Sequence, residues 1–570
     1  MKIKLFRNTV LLALFILNLN VNTGFSQHTY TRPGGLTDHL LDRFEIKSGA
    51  LANDYFHTTL KSYRRKAIAN FADSFPVNIV ALSNRDYVNL AYLINDNFEW
   101  SNQESSVSKR SFLKTFYKKK AALFNVQIPD FNLVVNPVLL VQQSTEMNPV
   151  GRPAIINNRG VEIRGNIGKN IGFYTQVSDE IIRNYSWVEK AITFPNYTIP
   201  YVNFFKSNEA ANNYDYFLSN AYISASLNPY MDLQFGHTTN FIGDGYRSLI
   251  LGNNHPEYLN LRLNTRIWRL NYTNIWGELR ARAIINSNSR GVQPRHYMAT
   301  HHLSLNLGKN FNLGLFETTL FKRDSGYVNT GFDPNYLNPV IFYKSVENGL
   351  NSVDKSIIGI NYKYNFLKHF SFYGQFILTE LVLKELLARN GWMHNKFGGQ
   401  IGLKIIDVAG IQNFDLQGEF NFARPFLYAS YNTYQSLSNF GQNLAHPYGA
   451  NFYEYIGIAR YQPINKLYIT GKLIFAKYGN DSNGSNWGKD PQKDYDTHTS
   501  GVYNNFIGQG VATSFITGEL IGSYMLKHNL FIDARMGLRK INSALAVYEM
   551  NSFYFTFGIR LNINDRQYDF

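Results

Sequence analysis

The chain has no cysteine among its 570 residues. That excludes disulfide bridges, thiolate metal sites and attachment to lipid through an N-terminal cysteine. It also lacks a long apolar run. The greasiest stretch, Val10 to Leu17, is too short to span a bilayer as a stable helix, so any crossing of a membrane must be made by strands. Catalytic and metal signatures are missing as well. There is no GxSxG elbow and no HExxH spacing. His301 and His302 are neighbours, and on a strand they point to opposite faces and cannot chelate one ion together. The loop Asn480 to Asp496 holds Asp481, Asn483, Asp490, Asp494 and Asp496 but lacks the spacing and terminal Glu of a calcium loop. Asp244, Ser248 and His255 could be imagined as a hydrolase triad, yet nearness in sequence is not geometry. These absences lead to the expectation of a protein that is not an enzyme, with no cofactor and no metal.

Aromatic residues are abundant, with 39 Tyr and 43 Phe making up most of a 15% share. Interfacial girdles of a membrane barrel need rings in such numbers. The mean hydropathy of −0.26 suits a barrel that shows lipid only every second residue. The formal charge is +15, and removal of Lys2, Lys4 and Arg7 with a leader leaves +12. Such a balance favours anionic partners: outer-membrane lipid headgroups, lipopolysaccharide or acidic polysaccharide. No nucleic acid partner is expected of an exported chain.

Residues 1–26 read as an export signal. A basic end precedes the Val10–Leu17 apolar stretch, and Gly24 and Ser26 supply small residues before a cut that leaves Gln27 first. Residues 27–128 read as a small helical domain on the periplasmic side. Phe56, Leu60, Tyr63, Ala67 and Phe71 recur at helical steps. Ser83 and Asp86 form a capping-box start, and a third helix is expected near Arg110 to Phe124, with its lysines solvated or against lipid headgroups.

From residue 129 to 570 the period becomes two. The last stretch is the clearest: Phe553, Phe555, Phe557, Ile559 and Leu561 alternate with Tyr554, Thr556, Gly558, Arg560 and Asn562, and Phe570 ends the chain as in a closing barrel strand. The same alternation puts Glu419, Lys472, Asp533 and Arg535 on a face opposite the apolar rows. A lipid-facing charge near the midplane costs about 2–4 kcal/mol, so these four should face the lumen. Connections alternate between short ones, such as Gly168–Asn170, Asn274–Trp276 and Leu526–Lys527, and long ones, such as 238–258, 423–451 and 478–512. Short periplasmic turns and long outer loops belong to outer-membrane barrels. The expected fold is an all-β transmembrane antiparallel β-barrel of roughly 16–18 strands.

Candidate ligand-binding residues are polar side chains expected in the lumen or outer loops: Asp244, Arg247, Glu419, Asn421, Arg424, Tyr428, His446, Asn451 and Glu454. Arg and Asn supply fixed donors and Tyr an apolar ring with a polar edge, which fits carbohydrate. The same residues would equally serve as a charge network that fills and stiffens the barrel. Asp244 and Arg247 lie in FIGDGYRSLILGNNH (241–255), whose glycines suit a loop folded into the barrel mouth or lumen.

The segments NRGVEIRGNIG (158–168), NFIGDGYRSLIL (240–251), LNTRIWRLNYTN (263–274), NPVIFYKSVENG (338–349), FYGQFIL (372–378), GEFNFARPFLY (418–428) and LAHPYGANFYEYIGIARYQP (444–463) resemble a family of outer-membrane proteins widespread in Bacteroidota. Its members are similar to the gliding-motility protein RemB. The order of a helical piece, then a large barrel with a Gly-rich loop, also resembles the capsule-assembly protein Wzi. The resemblance implies a cell-surface role in gliding motility or in attaching or exporting capsule or exopolysaccharide, with surface polysaccharide or motility-machinery proteins as partners. The alternative is a passive porin-like channel for small solutes.

Overall fold

A computed structural model describes residues 29–569 apart from 53–54, 102–105, 109–114, 149–152, 193–197, 209–211, 282–293, 323, 326–327, 330, 343–353, 433–434 and 483. The expected export signal and Phe570 lie outside the described residues.

Eighteen antiparallel strands close into one barrel. In chain order they are β1 (Phe131–Asn148), β2 (Ala154–Ile167), β3 (Ile171–Arg183), β4 (Asn213–Asn228), β5 (Met231–Thr238), β6 (Tyr258–Ile267), β7 (Leu270–Arg280), β8 (Arg295–Leu307), β9 (Phe311–Phe321), β10 (Lys355–Phe366), β11 (Phe370–Glu380), β12 (Lys396–Ile405), β13 (Phe414–Ala423), β14 (Phe452–Ile464), β15 (Leu467–Asn480), β16 (Val511–Lys527), β17 (Leu530–Ser543) and β18 (Met550–Leu561). The ring closes where β18 pairs with β1, with Thr556 opposite Ser144 and Leu561 opposite Leu139. Closure leaves no open edge, which a bilayer core would not tolerate. Among the described residues no helix is long and apolar enough to cross a membrane.

The period of two decides which face each residue takes. On β18, Phe555 and Phe557 are exposed on the outer wall while Tyr554 and Thr556 are buried inside. Leu473, Leu520, Met536 and Leu538 extend the exposed apolar wall. Glu419, Lys472, Asp533 and Arg535 are all buried in the lumen with partners, as the charge cost requires.

Several strand boundaries differ from the sequence reading. The β6–β7 turn falls at Trp268–Arg269, with Trp268 at φ 55°, and not at Asn274–Trp276. Asn274 reads as a turn former, but its side chain is used inside the barrel, 2.6 Å from Nδ1 of His301. Strands β1 and β2, which the alternation predicts over 131–142 and 160–167, run on to Asn148 and begin already at Ala154. There Gln143, Thr145, Asn157 and Arg159 interrupt the outward apolar row, which resumes only at Met147 and Ile155, so the pairing continues with a weakened sequence signature.

The N-terminal part folds into the short-turn end of the barrel. Helix α1 (Leu36–Ser48) ends at Gly49 in the left-handed conformation (φ 70°), α2 is Arg65–Asp73, and α3 is Asn84–Asp96. The capping box at Ser83 and Asp86 is present. The stripe Phe56–Leu60–Tyr63 is not helical: Ser62 takes φ 76°, and Leu60–Lys61 pairs as a short strand with Phe241–Ile242. The apolar spacing was real, since Phe56, Tyr63, Ala67 and Phe71 share one core, but an extended crossing of the lumen satisfies it. The expected third helix is also corrected. Residues 115–123 form turns and isolated bridges, and Phe124–Ile128 is a strand paired with β1.

Candidate functional site

Among the described residues, three segments that enter the lumen carry its charged contacts. The first is α1 with the crossing strand that follows it. Arg43, 1% exposed, reaches Asp86 of α3 (3.0 Å) and Asp407 (2.6 Å) in the β12–β13 turn, and also pairs with Asp415 on β13. Lys47 bridges Asp86 and Asp407 at 2.7 and 2.8 Å. Burial opposes ionisation of Asp86, but Arg43 and Lys47 hold its carboxyl down at about 2. On the adjoining side of the same helix, Asp42 and Glu45 meet Lys363 of β10 at 3.3 and 2.7 Å, and Asp42 also meets Lys404 of β12. Burial disfavours the Asp42 charge, yet these two lysines keep it well below the usual carboxylate range. A helix tied by ion pairs to β10, β12, β13 and the β12–β13 turn is a fixture of the barrel.

The second segment is the loop 239–257, a strap across the lumen. Gly243 is in a glycine-favouring conformation (φ 139°), and a Cβ there would sit 2.8 Å from the Gln375 amide. The close approach lets Gln375 hold both ends of the turn, accepting from Leu249 N (2.8 Å) and donating to Ile242 O (3.0 Å). Leu249, Ile250 and Leu251 are fully buried in the main apolar cluster.

The third segment is the chain after β18. Residues 562–569 do not continue the wall but turn back up the lumen. Arg535 binds Asp565, Arg566 binds Glu180, and Tyr568 lies against Tyr185 and Trp187. The closing strand, expected through Asn562, ends at Leu561, and NDRQYD beyond it is polar and paired inside.

The nine sequence-derived residues fall into two groups. Arg247, Glu419, Asn421, His446 and Glu454 form one network. Arg247 Nη2 lies 3.0 Å from Glu454 Oε1, and His446 Nε2 lies 2.7 Å from Glu454 Oε2. Asn421 donates to Glu419 (2.9 Å) and Glu454 (3.0 Å). Glu419 also accepts from the backbone N–H of Tyr246 and Arg247 and from Tyr373 Oη. Burial works against the Arg247 charge, but Glu454 and Asp569 raise the guanidinium well above its usual value. Burial pushes the His446 imidazole down despite Glu454. It therefore serves as a neutral ring, donating from Nε2 and accepting from Tyr448 N at Nδ1 (3.2 Å).

The other four sit apart. Asp244 faces Lys363 (3.4 Å) and accepts from Thr59 Oγ1 (2.9 Å). Tyr428 donates to Leu249 O (2.8 Å). Asn451 ties the carbonyls of Gly479 and Gln509 to the N–H of Gly508. Arg424 caps carbonyls of Trp392 and Asn505. The triad arrangement does not form: Ser248 donates to Ile242 O, and both His255 nitrogens face backbone carbonyls. Among the described residues no group of three or more acidic or histidine side chains is placed to hold a metal.

Sequence reasoning missed Arg43, Lys363, Lys404 and Asp569. The two lysines were readable as inward charges on strands. Arg43 and Asp569 carry no period-two signal, because they stand on segments that are not part of the wall.

No protein-family model matches the chain, and neither does any curated protein, so the likeness to RemB-like proteins rests on the quoted segments alone. Solved structures do match. The fold is similar to that of Escherichia coli Wzi, described as an outer-membrane protein involved in group 1 capsule assembly and a carbohydrate-binding β-barrel. That match has a TM-score of 0.55 and 13% identity, and it covers 95% of this chain and 100% of the other. Pseudomonas aeruginosa outer-membrane protein OprD matches at TM-score 0.42 and 11% identity over 80% of this chain and 96% of the other. Acinetobacter baumannii OccAB2 matches at 0.41 and 9% over 75% and 97%.

Proposed function

We propose that this protein is a non-enzymatic, non-conducting barrel of the outer membrane that attaches surface polysaccharide, in the manner suggested by its likeness to Wzi. The observation that carries the reading is the filled lumen: α1, the strap and the C-terminal tail are tied by buried ion pairs to the β12–β13 turn and to strands β3, β10, β14 and β15. A passive channel needs the opposite, an open path lined by solvated side chains.

In this reading the buried candidates, Arg247, Glu419, Asn421, His446 and Glu454, set the floor beneath the outer loops, and Arg424, Tyr428 and Asn451 brace the loops themselves. Glycan meets the rings those loops present. Trp392 and Tyr503 lie 5.0 Å apart, and Tyr431 and Tyr495 6.4 Å. Tyr503 and Tyr431 are 48% and 39% exposed. Rings with a polar edge suit the faces of sugars. Outer-membrane lipid and lipopolysaccharide surround the wall. The resemblance to RemB-like proteins extends the role to gliding motility, with motility-machinery proteins as partners.

The test is a deletion strain complemented with wild type or with the Trp392→Ala, Tyr503→Ala double variant. The expected outcome is loss of cell-bound polysaccharide, or of gliding, in the deletion and in the double variant at normal barrel levels. Unchanged surface glycan and unchanged motility in the deletion would overturn the reading.

A further inference from the structure

A cavity of about 440 Å³ remains in the lumen between α1, the strap, the tail and the wall. It reaches from the short-turn end, where Gln462 and Phe531 line it, to Asn254 and Glu257 of the strap. Its volume lies within the range of about 300–1,000 Å³ typical of small-ligand pockets. Its lining carries nine Lys and Arg side chains against five Asp and Glu.

Seven of those nine cations have a carboxylate within ion-pair distance; Arg32 with Glu257 and Arg560 with Asp533 are examples. Lys61 and Arg460 have none among the described residues. Lys61 Nζ lies over the Phe241 ring, 4.2 Å from its centre, and donates to Gly245 O at 3.3 Å. Arg460 donates once, from Nη1 to Gln417 Oε1 at 3.0 Å. An ammonium offers three donors and a guanidinium five, so most of theirs are unspent. Both side chains are half-buried, with the carboxylates of Asp38 and Asp42 acting on Lys61 and those of Asp415 and Asp42 on Arg460 from beyond ion-pair distance, so their free donors face the cavity and are open to a ligand that enters it. The amide of Asn254 and the rings of Tyr246 and Tyr468 stand in the same lining, a neutral donor and the flat surfaces a sugar uses.

We propose that this cavity is a binding site for an oxyanion, the carboxylate of an acidic sugar or a free phosphate, held by Lys61 and Arg460. Lys61 belongs to the N-terminal crossing strand and Arg460 to the wall, so the bound anion joins the plug to the barrel. The site lies within the lumen and stands or falls separately from glycan contact at the outer loops.

The full chain, refolded in a neutral non-sugar detergent, is titrated by calorimetry with glucuronate, inorganic phosphate and glucose. Saturable binding of glucuronate or phosphate but not glucose is expected, weakened about tenfold or more by Lys61→Gln and by Arg460→Gln. The exposed-loop variant Lys384→Gln keeps wild-type affinity. Binding of glucuronate alone identifies the acidic sugar as the ligand; binding of phosphate, with or without glucuronate, identifies a site for the bare oxyanion. Should the Gln variants misfold, acetylation of Lys61 in the wild type, read by mass spectrometry, replaces them, and the bound anion slows it. No saturable binding of either anion, or affinity indifferent to both substitutions, or Lys61 labelling unchanged by anion, overturns the proposal.

Discussion

Asp569 places a carboxylate oxygen 2.9 Å from Nζ of Lys472 on β15, inside the barrel. Its backbone carbonyl accepts from Arg247 Nη2 of the strap at 2.7 Å. One residue near the chain end therefore joins the wall to the strap. Lys472 keeps a second carboxylate, Glu519 at 3.0 Å, and Arg247 keeps Glu454, so the tail adds to a network that can survive its loss.

Ending the chain after Leu561 leaves all eighteen strands in place but removes the tail. The truncated protein is expected to insert and to show the heat-dependent gel mobility of a folded barrel, with unfolding at a lower temperature than wild type. Asp569→Asn, which keeps the backbone carbonyl, should cost less, about 1–2 kcal/mol. Equal stability of truncated and full-length protein would show that the tail carries no load.

Glu454 is the point where Arg247, Asn421 and His446 converge. Removing its charge leaves a buried guanidinium short of a partner, a change worth about 3–5 kcal/mol when a buried pair is broken. Because Arg247 retains Asp569, Glu454→Gln is expected at the low end, about 3 kcal/mol. Urea unfolding in lipid vesicles, followed by tryptophan fluorescence, measures it. A cycle with Arg247→Gln should be non-additive by at least about 1 kcal/mol.

Gly402 on β12 faces Tyr373, and a Cβ at that position would collide with the phenol ring. The missing side chain is what lets Tyr373 reach Glu419 at 2.8 Å. Gly402→Val is expected to displace the ring and destabilise the barrel by about 1–3 kcal/mol. The double variant Gly402→Val, Tyr373→Ala should recover part of that loss in the same unfolding assay.

The wall was legible because its signal is local: residues two apart share a face, and a misplaced charge is costly in lipid. That is why Phe553 to Leu561 announced the barrel, and why Glu419, Lys472, Asp533 and Arg535 could be assigned to the lumen. The plug was harder to read. Phe56, Leu60 and Tyr63 have helical spacing yet cross the lumen as an extended strand, because Leu60–Lys61 finds a partner in Phe241–Ile242. The candidate residues read by type as lumen or outer-loop side chains, but their partners lie far off in sequence. Arg43 and Asp407 are 364 positions apart, and no spacing rule links them.

His57 lies between Ser304 Oγ, 2.7 Å from Nδ1, and Asn306 Nδ2, 3.2 Å from Nε2. Burial, with His302 and Arg266 nearby, lowers the imidazole to about 3. The unfolded segment takes up a proton near pH 6.5, before the docked one does. The stability contributed by neutral His57 is therefore complete above about pH 6.5 and lost as pH falls toward 3. Asp86, at about 2, adds a further loss below about pH 4. Asp38 acts in the opposite sense: burial raises it to about 6, so its contribution falls as pH rises from about 4 through 6. Hydrogen exchange of residues 55–63 should quicken more on acidification in wild type than in His57→Gln. Identical profiles would remove His57 from the account.

Single-protein conductance in planar bilayers tests the filled lumen most directly. The wild-type chain is expected to give no large steady current, and a variant lacking both residues 562–569 and the strap ion pair, through Arg247→Gln, should open at least intermittently. Large, steady, ohmic conductance from the unaltered protein would contradict the account and favour a passive pore.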